Sequence, residues 1–246
     1  MSRIPSAAPS ASRPAAPAWA QALGRLWWHW QVLKIAGICA FTAVFFLAYF
    51  HVLRNVPGPV TVMPLMPLDH WIALQPAAFW PYVSLWFYVG IAPALLPSLR
   101  ALLGYGAWVS ALCLTGLACF WLWPTAVPWP GHELNASLDG HAGFALLRGV
   151  DAAGNACPSL HVATAVFTAL WVDRQFAAVG TPAWPRLINL AWVLLIAWST
   201  VATRQHVVLD VVAGAALGAA FAALSLRYGP DPRAGVQGQP VSSRRD

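Results

Sequence analysis

Six apolar stretches dominate the chain: Leu33–Leu53, Ala77–Leu96, Ala101–Trp123, Pro158–Val172, Leu187–Thr203 and His206–Tyr228. About 20 mainly apolar residues cross the hydrocarbon of a bilayer as a helix, and an open backbone segment cannot survive there unpaired. The fourth stretch is short for a crossing. The second contains Pro81 and Pro93, which lipid-buried helices tolerate better than soluble ones. Of the 246 residues, 59% are hydrophobic and 9% charged, against about a quarter charged in a soluble domain. In water such a chain would expose more apolar surface than solubility allows. The pattern predicts an all-α, polytopic membrane bundle of six transmembrane helices over residues 32–228. Gly214 and Gly218 in the last helix have the small-x-x-x-small spacing of close helix packing.

Residues 1–31 read as a disordered cytoplasmic tail rich in Ala, Pro and Ser. Its end, with Trp19, Trp27, Trp28 and Trp30 beside Arg25, suits a helix lying in the membrane interface. No apolar core follows Arg13 directly, so a cleavable signal peptide is not expected. Residues 229–246 read as a second disordered cytoplasmic tail. Two long connections, 54–76 and 124–157, are rich in proline and read as loops.

The basic residues fix the orientation. With the amino terminus cytoplasmic, inside segments carry Arg3, Arg13, Arg25, Lys34, Arg100, Arg174, Arg186, Arg227, Arg233, Arg244 and Arg245. Outside segments carry only Arg54, Arg148 and Arg204, which completes the 14 basic residues. That asymmetry predicts both termini inside. The net charge of +6 is thus spread over loop ends, and a nucleic-acid partner, which needs a basic face, is excluded. Cys39, Cys113, Cys119 and Cys157 form neither a disulfide framework nor a zinc pattern, and no HExxH-like spacing occurs.

Asp210 stands inside the sixth apolar stretch, where a carboxylate is costly unless it is paired or functional. His206 precedes it by four residues, which on a helix puts both on one face. A carboxylate that accepts from one imidazole nitrogen fixes the tautomer and leaves the other nitrogen as a nucleophile. The bland alternative is a polar pair stitching two helices. His161 lies in Cys157-Pro158-Ser159-Leu160-His161 at the start of the fourth stretch. Pro158 suits a first helical turn, and Ser159 offers a hydroxyl and a free N–H, as at anion-binding helix starts; a capped helix with an interfacial histidine is the alternative. The topology brings His161, His206 and Asp210 to one membrane face. Arg204 and Arg148 are two of the three outside cations and are candidates to neutralise a phosphate, with lipid-headgroup contact as their alternative. His29, His51, His70, His132 and His141 read as interfacial or solvated, with His132 and His141 the leading exceptions.

Asn155–Ala163 (NACPSLHVA) and Ser199–Gly214 (STVATRQHVVLDVVAG) resemble the second and third signatures of the type-2 phosphatidic acid phosphatase superfamily. More narrowly, they resemble its branch containing inositol phosphorylceramide and sphingomyelin synthases. The resemblance implies a phosphohistidine at His206, an orienting Asp210, an acid–base His161, a phosphate-contacting Ser159 and no metal or other cofactor. Two departures stand out. The first signature, Lys-x6-Arg-Pro, has no counterpart, and Thr200 follows Ser199 where the family has arginine. Arg204 is then the substitute cation.

The expected function is a lipid phosphatase or phosphotransferase acting on a phosphorylated lipid at the periplasmic or lumenal face, in a bacterial inner membrane. Its partners would be that lipid, a lipid-alcohol acceptor and the surrounding membrane lipids. Rival readings are a transporter or flippase with a His–Asp proton relay, a haem protein with two axial histidines, and a non-catalytic membrane scaffold. A flippase would sit poorly with the lack of a two-half repeat.

Overall fold

A computed structural model describes residues 16–129 and 154–229. Among these residues, ten helical segments and two short strands follow one another. They are α1 (Ala18–Trp28), α2 (Gln31–Arg54), β1 (Thr61–Val62), α3 (Pro67–Trp71), a 3-10 turn (Pro76–Ala78), α4 (Phe79–Tyr88), α5 (Ile91–Ala94), α6 (Leu99–Leu122), β2 (Thr125–Ala126), α7 (Leu160–Ala178), α8 (Ala183–Ala202) and α9 (Val208–Tyr228). Both tails' ends, and with them Arg148, His132 and His141, lie outside the described residues.

Among the described residues, α2, α6, α8 and α9 are long and apolar enough to cross a membrane. Large apolar side chains on these helices face outward, including Leu47, Leu103, Leu194 and Val212. Such a surface is stable only against lipid. The protein is therefore an integral membrane protein of mostly helical, polytopic build.

Two of the six expected spans differ from a plain crossing helix. The second is broken into the 3-10 turn, α4 and α5. Pro93 has no N–H to give and its ring crowds the carbonyl four residues earlier, so α4 cannot run on. The fourth becomes the 19-residue α7. It carries too many polar groups to count as an apolar span, among them Thr168, Asp173 and Gln175, because it is the hub of the bundle and faces protein. Helices α5, α6, α8 and α9 all pack on it, and Val162, Phe167 and Trp171 are wholly buried. Buried polar groups there find partners: Trp171 Nε1 donates to Ser225 Oγ at 2.9 Å, and Asn189 Nδ2 to the Ala169 carbonyl at 2.9 Å.

The tightest contact is between α7 and α9. A Cβ on Gly214 would lie 2.3 Å from the Ser159 carbonyl oxygen, and one on Gly218 would lie 2.3 Å from that of Ala163. The small-residue spacing thus lets the two backbones touch, which is the van der Waals contact that joins helices in lipid. Gly218→Leu is expected to cost about 3 kcal/mol, the upper range for overpacking a core. A fall in the thermal midpoint of the purified protein reads this out; an unchanged midpoint would contradict the contact.

At the other end of the bundle, Lys34 is buried and its ammonium donates to the carbonyls of Leu26 and Ala94, each at 2.7 Å. One side chain thereby ties α1, α2 and α5 together. Trp19 meets Trp184 edge-on at 5.9 Å, seating α1 against the start of α8. Helix α1 occupies the segment for which an interfacial helix was expected.

The described parts of the two proline-rich connections, expected to be loops, build a layer over the opposite end. Strands β1 and β2 pair in parallel, Thr61 beside Thr125. The Thr125 carbonyl accepts from the N–H groups of Gly154 and Ala156, and Thr125 Oγ1 from that of Cys157 at 2.8 Å. Asn155 Nδ2 donates to the Tyr49 hydroxyl, reaching α2. The Gln75 N–H reaches the Ala202 carbonyl at the end of α8. This layer holds the starts of α7 and α9 side by side.

Candidate active site

The segment entering α7 is set by Ser159, its N-cap, which is wholly buried. Ser159 Oγ accepts the Val162 N–H at 3.3 Å, and its own N–H is not free as expected, since it donates to the Asp210 carbonyl at 3.1 Å. The second bond became available because Gly214 lets α9 approach so closely. Pro158 stands before the cap rather than in the first turn, with a cis Cys157–Pro158 bond. The helix start therefore spends these two groups on structure, and any phosphate contact from Ser159 must come from the remaining capacity of its hydroxyl.

His161 sits in the first turn of α7. Its Nε2 lies 3.0 Å from the Tyr82 carbonyl oxygen, and its ring stacks on Tyr82 with centroids 4.2 Å apart. Since a carbonyl only accepts, Nε2 carries the proton and Nδ1 keeps the lone pair. Trp86 stands edge-on at 6.4 Å. The broken second span therefore supplies both the acceptor and the platform that aim this imidazole.

His206 lies in the turn between α8 and α9, not on α9 itself as the spacing suggested. The Thr200 carbonyl accepts from the N–H groups of Gln205 and His206, and Arg204 takes the left-handed conformation with φ 60°. Helix α9 starts only at Val208 because Asp210 Oδ2 accepts the Val207 N–H at 3.0 Å, a side-chain cap on an otherwise orphan donor. The turn still brings the predicted pair together: His206 Nδ1 is 3.6 Å from Asp210 Oδ2. That gap is too long for a hydrogen bond. Among the described residues, His206 Nδ1 and Asp210 Oδ1 are both buried without a hydrogen-bond partner, and Asp210 is wholly buried. Unpaired buried polar atoms cost about 1–3 kcal/mol each, and catalytic hydrogen bonds are often loose before substrate binds. His206 is also close enough to His161 for their charges to interact. Beside this group, burial pushes the Cys157 thiol up to about 11, and the Asp210 carboxylate adds to the effect. Cys157 is therefore held as the neutral thiol beside this group.

Arg204 is half-buried. Its guanidinium lies 4.0 Å from the centroid of the Trp129 ring, and Nη1 donates to the Asp69 carbonyl at 3.2 Å. Burial lowers its pKa from the usual arginine range, and the Asp69 charge opposes that shift. Asp69 was not legible as a site residue. Its carboxylate is wholly buried, with Oδ2 accepting the Met66 N–H and Oδ1 the Val208 N–H, both at 2.8 Å. The available signal was local: Pro67 at a first helical position with an acid two residues on is a helix-start pattern. Arg148 falls outside the described residues. Among the described residues, no three His, Cys, Asp or Glu side chains group as metal ligands.

The structure thus brings His161, His206, Asp210 and Ser159 to one end of the bundle, with Arg204 in the same turn as His206. Such a group can offer a nucleophilic imidazole, a carboxylate to orient it, a second imidazole for proton transfer and a cation for an anionic group. Comparison with curated proteins and with solved structures gives no match in either case. Residues 61–224, well over half of the chain and all of this group, match the family model of the PAP2 superfamily. The chain belongs to the PAP2 superfamily, whose members are phosphatases and phosphotransferases.

Proposed function

We propose that the protein is a metal-independent lipid phosphatase or phosphotransferase working through a phosphohistidine on His206. It has six membrane crossings, the second formed by α4 and α5, with both termini cytoplasmic and the site at the periplasmic face of a bacterial inner membrane. The observation that carries the chemistry is the His206–Asp210 pair, 3.6 Å apart and buried, beside His161. The orientation rests on the basic residues, which gather at the helix ends away from this site.

In the first step His206 Nε2 attacks phosphorus, because Nδ1 faces Asp210. The N–P bond forms and the P–O bond to the lipid alcohol breaks. His161, held through Nε2–H by Tyr82, takes a proton from the bound phosphate monoanion onto its Nδ1 lone pair and passes it to the leaving oxygen. In the second step the Nδ1 lone pair takes a proton from water or a lipid alcohol, whose oxygen attacks phosphorus as the N–P bond breaks. Arg204 neutralises charge on the phosphoryl oxygens. Access of water then decides between hydrolysis and transfer. The resemblance to inositol phosphorylceramide and sphingomyelin synthases favours a lipid-alcohol acceptor.

His161→Ala is expected to lower turnover of a lipid phosphate by about 10²–10⁴, the range for a general acid–base. The loss should shrink with p-nitrophenyl phosphate, whose leaving group needs no proton. Equal losses on both substrates would contradict the acid role.

The functional test supplies a panel of phosphorylated lipids to the purified protein in lipid–detergent micelles with EDTA, with and without a lipid alcohol, beside His206→Gln. Free phosphate lost in the variant supports a phosphatase. A new phospholipid without free phosphate supports a phosphotransferase. No product from any donor, with folded protein, would turn the reading towards a scaffold or transporter.

A further inference from the structure

We propose that Asp69 is a positioning residue of the active site, one that holds both flanks of the nucleophile turn and sets Arg204 for phosphate. The inference rests on the reading of Arg204 as a phosphate ligand given above.

A carboxylate with no solvent exposure is stable only if its charge is met. Asp69 meets it with two main-chain donors, Met66 N–H and Val208 N–H, each at 2.8 Å. The second is the first residue of α9, where the helix dipole presents positive charge. The other contact is through the backbone: the Asp69 carbonyl accepts Arg204 Nη1 at 3.2 Å. Arg204 is two residues before His206, and Val208 is two residues after it. One residue of the outer layer therefore grips the turn on both sides of His206.

The carbonyl that receives Arg204 is itself fixed, since Asp69 lies within α3 and its side chain closes the α3 cap on Met66. Trp129 covers the guanidinium from its ring face. Arg204 is thus held in place ahead of any ligand, despite its left-handed backbone. Removing the Asp69 carboxylate frees α3 from α9 and moves the carbonyl that orients the guanidinium. A residue that merely capped α3 would change stability and leave phosphate affinity alone.

The test measures binding of inorganic phosphate to the full-length protein in micelles by titration calorimetry, for wild type, Arg204→Ala, Asp69→Ala and the double variant. Arg204→Ala is expected to weaken binding about tenfold, as for a lost charged hydrogen bond. Asp69→Ala should weaken it by a similar factor, and the double variant should bind no more weakly than Arg204→Ala, since both changes remove one interaction. If Asp69→Ala does not fold, Asp69→Asn takes its place. Its single amide oxygen can serve one of the two N–H groups, and a loss of about threefold is expected. Wild-type phosphate affinity in a folded Asp69 variant overturns the proposal, as do losses that multiply in the double variant. A wild type that binds no phosphate overturns it too, even if turnover sensitive to His206→Gln upholds the proposed function. Conversely, phosphate binding that depends on Arg204 and Asp69 without any turnover supports the positioning and sinks the proposed chemistry.

Discussion

His206→Gln is expected to bring both phosphate release and phosphoryl transfer to background, with the protein folded and its thermal midpoint near wild type. Among the described residues the imidazole Nδ1 has no hydrogen-bond partner and lies 3.6 Å from Asp210 Oδ2. What holds the turn is the backbone: the His206 N–H on the Thr200 carbonyl and the Val207 N–H on Asp210. Glutamine keeps the first, leaves the second untouched and occupies similar space. What it lacks is a ring nitrogen able to attack phosphorus. In the proposed reaction covalent catalysis passes through that atom in both half-reactions, so no partial route survives. Turnover within tenfold of wild type would remove His206 as the nucleophile.

Asp210→Asn is the second large effect, and its cause is different. The asparagine carbonyl can keep the Val207 N–H from the Oδ2 position, so α9 still starts where it does. That position is also the one 3.6 Å from His206 Nδ1, so a neutral amide oxygen replaces the carboxylate oxygen that faces the imidazole. In the proposed reaction the buried negative charge that would steady the phosphorylated, positively charged imidazole is then gone. Loss of an orienting carboxylate costs about 10⁴ in the serine-protease triad, and a fall of about 10²–10⁴ is expected here, since the charge is lost while the tautomer can be kept. Steady-state turnover with a saturating donor measures it. A variant with most of its turnover would show that Asp210 serves α9 alone.

Both variants touch residues that stand out in the sequence for one reason. Charged and polar groups are scarce in the apolar stretches, so Asp210 and the histidines near it are conspicuous. Among the described residues, the four helices long and apolar enough to cross a membrane, α2, α6, α8 and α9, are legible on the same basis, because a lipid-facing surface demands long apolar runs. Helix α7 is harder to read: surrounded by other helices, it needs no lipid-facing side and can carry polar residues that find partners in the core. The break in the second span follows from Pro93, although the sequence reads as one helix if lipid tolerance of proline is given too much weight.

The outer layer is the part that sequence periodicity misses. Its order comes from single bonds between distant segments, such as Thr125 to Cys157 and Asp69 to Val208, which are 139 residues apart in the latter pair. No local pattern encodes such a bond. The same holds for Ser159, whose N–H is taken by Asp210 across a helix contact that depends on Gly214. The candidate residues are therefore visible as residue types, and the scaffold that positions them is not.

The most direct test of the account looks for the covalent intermediate. The protein is mixed with a donor that supports turnover, labelled in its phosphate, and quenched in alkali within the first turnover. The account predicts a label that survives alkali, is lost in acid and maps to the peptide containing His206, and that is absent from His206→Gln. Turnover by the wild type with no covalent label at any quench time, or with an acid-stable label elsewhere in the chain, would contradict it.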